Sequence, residues 1–217
     1  MSKILMLLPL MAATCLWGCS KTGTAPTSNA TSTQMSNAAD HPDECDSRGI
    51  KVGDSNIQLR LADTDWRWNT AGAFVTLTEK GNGKDVDLVE SKDPGGPSAP
   101  TGDCLRSGSY IRLARTEGSG DNRYLQAYQA DDANHVTIGN HQDINAIFYV
   151  IKASDAGTPS HTVIKSQDVV LIRGVSHDPW TVAPATPTEG SAVGLDASEN
   201  PIHASSWKIS RKGPKEG

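Results

Sequence analysis

Between residues 50 and 210 the apolar positions recur in short alternating runs, and few stretches keep helical spacing for three turns. Gly and Pro interrupt the chain throughout. Short alternation bounded by turn residues is the pattern of half-buried strands. The runs fall into three sets with the same internal order. The first strand of each set is Ile57–Leu61, then Tyr110–Leu113, then Val169–Arg173. The second opens on a ring, at Trp66-Arg67-Trp68, at Tyr124-Leu125-Gln126-Ala127 and at Trp180-Thr181-Val182. The third is Phe74–Leu77, His135–Ile138 and Ala192–Leu195, and the fourth is Val86–Leu88, Phe148–Val150 and Trp207–Ile209.

Aligning Leu59, Leu113 and Leu171 gives spacings of 54 and 58 positions, lengthened by the loops Lys92 to Pro100 and Ala183 to Gly190. One four-strand unit cannot bury its apolar face alone, whereas three stacked units share a core. Twelve short strands in three pseudo-equivalent units resemble the β-trefoil, in which six strands close a barrel and three hairpins cap one end. The piece Arg123-Tyr124-Leu125-Gln126-Ala127, following a Gly/Asp/Asn turn, is similar to the G-x-Y-L-x-A element of fascin-like trefoils. The resemblance implies an all-β domain over 45–210, with a polar tail at 211–217. A β-sandwich is the alternative architecture for short strands with frequent turns.

The first residues change the picture from fold to place. Lys3 precedes the apolar run Ile4–Thr14, which is too short to span a bilayer comfortably and reads as a signal peptide. Leu16-Trp17-Gly18-Cys19 then resembles the lipobox of bacterial lipoproteins. The resemblance implies removal of residues 1–18, acylation of Cys19 and retention in the bacterial envelope. Ser20, rather than Asp, suits the outer membrane in a Gram-negative host. An ordinary secretory signal with an incidental Cys19 is the simpler alternative. Several acyl chains hold a protein stably where one does not. Residues 20–44 are almost all Ser, Thr, Asn, Ala, Gly, Lys and Pro, a composition that cannot bury a core, so 19–44 reads as a disordered tether. About 25 residues of such coil span roughly 25–30 Å.

Charge and cysteine usage narrow the chemistry. Lys3 is the one charged side chain in 1–18, so its removal moves the formal charge from −5 to −6. A mildly acidic domain is a poor partner for nucleic acid or anionic lipid. Of the four cysteines, Cys15 leaves with the signal and Cys19 is acylated. Cys45 and Cys104 remain, and in an oxidising compartment a disulfide is their simplest state. A two-cysteine metal site is the rival.

Catalytic signatures are sparse. There is no Gly-x-Ser-x-Gly elbow, P-loop, dinucleotide fingerprint or His-Glu-x-x-His in the sequence. His177-Asp178 beside a serine could be drawn as a triad, but sequence does not supply the geometry. His135 and His141 lie six apart, and Asp63-Thr64-Asp65 and Asp131-Asp132 offer oxygen ligands; none completes a metal motif, and solvated or turn roles explain them. Lys80–Lys84 reads as a hairpin turn. No cofactor and no catalytic residue is assigned, so the expectation is not an enzyme. The aromatic residues are the candidates for binding. Trp66 and Trp68 share one strand face, and Trp66, Tyr124 and Trp180 take matching places in the three repeats. They either fill equivalent core or cap positions or stack on the apolar face of a sugar, as in ricin-type lectin trefoils, whose Q-x-W signature is absent. Three readings follow: a binding module for a glycan or envelope protein, an envelope inhibitor or immunity lipoprotein that neutralises a hydrolase, and an accessory toxin subunit.

Overall fold

Twelve strands run through the described residues, in chain order, as three sets of four. They are β1 Ile57–Leu61, β2 Arg67–Asn69, β3 Thr76–Thr78, β4 Val86–Glu90; β5 Ser109–Arg115, β6 Tyr124–Gln126, β7 Thr137–Gly139, β8 Ile147–Lys152; and β9 Val169–Gly174, β10 Trp180–Val182, β11 Gly194–Asp196, β12 Trp207–Arg211. The structure is a computed structural model and describes residues 45–79, 83–91, 99–127, 134–140, 144–155 and 157–212. The signal segment 1–18, Cys19, the tether 19–44 and residues 213–217 of the tail lie outside the described residues. The described residues all belong to one unit, His41–Gly217.

The first and fourth strands of the three sets close a ring. β1 pairs β4, β4 pairs β5, β5 pairs β8, β8 pairs β9, β9 pairs β12, and β12 returns to β1, all antiparallel. A ring leaves no free edge among its members, which protects short strands from pairing with other chains. It also sets aside two separate facing sheets, the sandwich alternative. Alternation places the core: Ile57 and Leu59 of β1, Val86 and Leu88 of β4, and Trp207 and Ile209 of β12 point inward, while Gln58, Asp87 and Lys208 between them stay half-exposed.

The two ends of the ring are closed in the same way. At one end the hairpins β2–β3, β6–β7 and β10–β11 meet through a cyclic set of bonds. The Val75 amide donates to the Val136 carbonyl at 2.8 Å, Val136 to Val193 at 3.0 Å, and Val193 back to Val75 at 2.8 Å. At the other end Ile50 donates to Ile164 at 3.0 Å, Ile164 to Leu105 at 2.8 Å, and Leu105 to Ile50 at 2.8 Å. All six residues are buried. Each plug therefore satisfies its own backbone groups while filling the barrel mouth, which a loop crossing a core has to do.

Pairing fixes which positions are equivalent, and it corrects the sequence alignment twice. Leu59 faces Ile209, Leu113 faces Leu88, and Ile172 faces Val150. The third member is thus Ile172, not Leu171, and Leu171 points outward. Val169–Ile172 is an unbroken apolar run, so alternation cannot fix its phase, and a one-residue slip exchanges the two faces. Likewise Arg67, Tyr124 and Trp180 are the equivalent trio, opposite Thr78, Gly139 and Asp196, so Trp66 sits one residue ahead of the repeat.

The disulfide is present: Cys45 and Cys104 are bonded, with Cα atoms 5.8 Å apart and 59 positions between them. It ties the start of the domain to the plug segment of the second set. Gly49 is required beside it, because a Cβ there would stand 2.9 Å from the Cys45 sulfur. The chain's other end closes the same seam. β12 runs through Arg211, whose Nη2 donates to the Gly49 carbonyl at 2.7 Å, and Lys212 Nζ donates to Asp85 Oδ2 at 3.0 Å.

Candidate functional site

The four aromatic candidates do not converge. Trp68 belongs to the core, 1% exposed, with its ring edge-on to Trp207 at 5.3 Å between centroids. A stacking platform needs an open ring face, and Trp68 has none. Its equivalents are Leu125 and Thr181, so the three sets fill this layer unequally. Where the third set has the small Thr181, the Trp207 indole Nε1 donates to Thr181 Oγ1 at 2.8 Å, and that hydroxyl donates to the Ile172 carbonyl at 3.0 Å. Trp66 is half-buried against the core. Tyr124 is half-buried on β6, with the Arg123 guanidinium 5.6 Å from its ring centre. Trp180 lies on the outer barrel wall and is 5% exposed.

Trp180 leads to a group that the sequence reading missed. Tyr110 of β5 stands opposite Tyr149 of β8, Tyr149 opposite Arg173 of β9, and Arg173 opposite Trp180 of β10. Directly opposed residues of antiparallel strands share a face and touch. The four side chains therefore form one cross-strand ladder over four strands. The Tyr110 and Tyr149 rings are 5.1 Å apart and tilted by 56°. The Arg173 guanidinium carbon lies 4.8 Å from the Tyr149 ring centre and 5.4 Å from that of Trp180, so one cation serves two ring faces. Ile151, Leu171 and Trp180 form a small apolar cluster on this wall, with Tyr149, Ala153 and Ala204 packed against it. Tyr110 and Tyr149 remain half-exposed. Burial pushes the Tyr149 phenol above its ordinary value, Tyr110 adds to the rise, and Arg173 opposes it. The apolar footing is supplied by residues of β8, β9 and β10.

The turn from β9 to β10 carries His177 and Asp178. His177 Nδ1 meets Ser176 Oγ at 2.8 Å, while Asp178 Oδ1 sits 3.6 Å from Arg173 Nη1. Asp178 thus faces the ladder's cation, and among the described residues Ser176, His177 and Asp178 do not line up as a relay. His135 packs edge-on against Phe74 at 4.5 Å on the hairpin side. Asp65 pairs with Arg60 at 3.6 Å, and Thr64 caps its own turn through the Leu61 carbonyl at 2.9 Å. Among the described residues no group of three or more His, Cys, Asp or Glu could hold a metal ion. His141, Asp131-Asp132 and Lys80–Asn82 lie outside the described residues, and Lys84 pairs with Glu117 at 2.7 Å.

No family model matches the chain, and no curated protein matches it. Solved structures do. The SDF2-like protein from Arabidopsis thaliana aligns at a TM-score of 0.52 and 16% identity, over 75% of this chain and 94% of that one. A Caenorhabditis elegans protein described as having unknown function aligns at 0.51 and 15%, over 76% of this chain and 98% of that one. The lysenin pore aligns at 0.49 and 13%, over 76% of this chain, which spans 49% of the lysenin chain. The likeness to the first two is one of all-β fold.

Proposed function

We propose that this chain is a β-trefoil binding module, without catalytic activity of its own, held on a bacterial envelope membrane by acyl chains on Cys19. The trefoil reading is supported by the six-strand ring, the three capping hairpins and the two cyclic plugs. The anchor rests on the lipobox-like Leu16-Trp17-Gly18-Cys19 and the Ser/Thr/Asn-rich tether behind it. Ser20 favours the outer membrane. The observation that carries the binding reading is the ladder of Tyr110, Tyr149, Arg173 and Trp180. Half-exposed rings on an apolar footing next to a cation make the kind of surface that concentrates binding energy. Flat rings suit the apolar face of a sugar, so a glycan is the favoured ligand. An inhibitor or immunity protein for a basic hydrolase is the second reading, favoured by the formal charge of −6 left when residues 1–18 are removed from a chain of −5.

Expression of the full chain with labelled palmitate in a bacterial host tests the anchor: label and membrane retention vanish in Cys19→Ser. Tyr149→Ala tests the surface, and it abolishes binding on a glycan array while leaving the fold intact. Retention of Cys19→Ser in the membrane fraction, or unchanged array binding by Tyr149→Ala, overturns the respective part.

A further inference from the structure

The ladder holds two hydrogen-bond donors that meet no acceptor. Arg173 Nε and Trp180 Nε1 are buried and unpartnered among the described residues. Buried N–H groups in this state are rare and costly. Elsewhere the two that are consecutive in the chain, Arg67 Nε and Trp68 Nε1, lie on opposite faces of β2. Trp68 Nε1 is sealed in the core, and Arg67, Arg115 and Arg211 each use another guanidinium nitrogen on a protein acceptor. Among the described residues, only at the ladder do two such donors belong to side chains opposed on one strand face and bordered by half-exposed rings.

The turn beside them is strained. His177 and Asp178 are consecutive non-glycine residues at φ 65° and 49°. Asp178 also precedes Pro179, whose ring crowds the residue before it. Consecutive left-handed residues persist where the surroundings hold them, and such strain gathers at ligand sites. Here it sets the Asp178 carboxylate beside Arg173 at 3.6 Å, beyond hydrogen-bond length, with the carboxylate side chain 59% exposed. The cation has a loose counter-ion that water can take back.

We propose that the Arg173–Trp180 end of the ladder is an oxyanion subsite for the carboxylate of an acidic oligosaccharide, with the sugar rings lying along Tyr149 and Tyr110 and Asp178 as the internal counter-ion that the ligand displaces. The inference rests on the binding-module reading. An oxyanion reaching the ladder from solvent meets Arg173, whose side chain is 29% exposed and supplies the charge. The ladder crosses three inter-strand steps, about 14 Å at the usual spacing, which gives room for several sugar rings. A peptide strand is disfavoured because β5, β8 and β9 are each paired on both sides, leaving no edge for backbone addition.

The test is calorimetric titration of the full chain in detergent with tri-galacturonic acid and with its methyl ester, which keeps the shape and removes the charge. The acid binds about tenfold more tightly than the ester. Arg173→Gln removes that preference, and Asp178→Asn, a change at an exposed side chain, strengthens acid binding about two- to fivefold. Equal affinity for acid and ester, or weaker binding by Asp178→Asn, overturns the oxyanion subsite and leaves the binding module standing. Binding of neither saccharide also overturns it. If Tyr149→Ala then captures the same envelope components as the wild type, the binding-module reading falls with it.

Discussion

Thr181 is the point where the threefold core departs from symmetry, and replacing it gives the sharpest energetic prediction. Both Thr181 and Trp207 are fully buried. The Trp207 indole donates to the Thr181 hydroxyl at 2.8 Å, and the hydroxyl donates to the Ile172 carbonyl at 3.0 Å. Thr181→Val keeps the volume and removes the oxygen. The Trp207 N–H then has no acceptor, which costs about 1–3 kcal/mol, and the lost hydroxyl bond adds about 1 kcal/mol. The expected loss is about 2–4 kcal/mol. Thr181→Ser keeps both bonds and loses one methyl, about 1 kcal/mol. Urea unfolding, followed by circular dichroism, reads the difference. With a slope of about 2 kcal/mol per molar, the Val variant's midpoint falls by about 1–2 M and the Ser variant's by about half that or less. If packing alone governed this site, Val would be the milder change. A Val variant as stable as the wild type, or more stable than Ser, refutes the hydrogen-bond account of the layer.

Cys45→Ser with Cys104→Ser opens a loop of 59 positions, and the chain-entropy model sets the loss at about 4 kcal/mol as an upper figure; unfolding with and without reductant checks it, since the double variant should be insensitive to reductant. Gly174→Ala brings a Cβ to 2.5 Å from that of Ala127 and 2.9 Å from the Ala127 carbonyl oxygen, so it lowers thermal stability and disturbs Arg173 next to it. Asp155 is held down to about 2 by hydrogen bonds, first from Ser107 and then from Ser160. A carboxylate lowered in the folded state stabilises above its unfolded value and loses that contribution as pH falls from about 4 towards 2. Asp155→Asn therefore flattens the stability curve in that acid window, which equilibrium unfolding at a series of pH values measures.

Much of the fold was legible because its signals are local. Phe74–Leu77, His135–Ile138 and Ala192–Leu195 are equivalent in the fold as in the sequence pattern, since a buried Val sits at the same place in each and forms the hairpin-side plug. The disulfide followed from elimination among four cysteines. The first strands carry a weaker signal: Val169–Ile172 has no polar position to set its phase, so spacing alone aligns Leu171 where the fold has Ile172. A ring near the start of each second strand aligns Trp66 with Tyr124 and Trp180, whereas the repeated feature is the strand position that Arg67 holds. The ladder lay hidden for a different reason. Alternation already turned Tyr110 and Tyr149 outward, but their meeting with Arg173 and Trp180 depends on register across four strands, up to 70 positions apart. Only the Trp180 end carried a signal in the sequence, and it pointed towards the matching rings of the other repeats instead of along the barrel wall.

The central claim is that the outer ladder is the recognition surface. The most direct measurement compares capture from envelope extract by the full chain, by Tyr149→Ala and by Phe74→Ala, the last a 44% exposed ring that packs on His135 and is not a member of the ladder. The account predicts that Phe74→Ala retains the wild-type envelope components and Tyr149→Ala loses them. Loss with Phe74→Ala and retention with Tyr149→Ala would place recognition on the hairpin side and contradict the account.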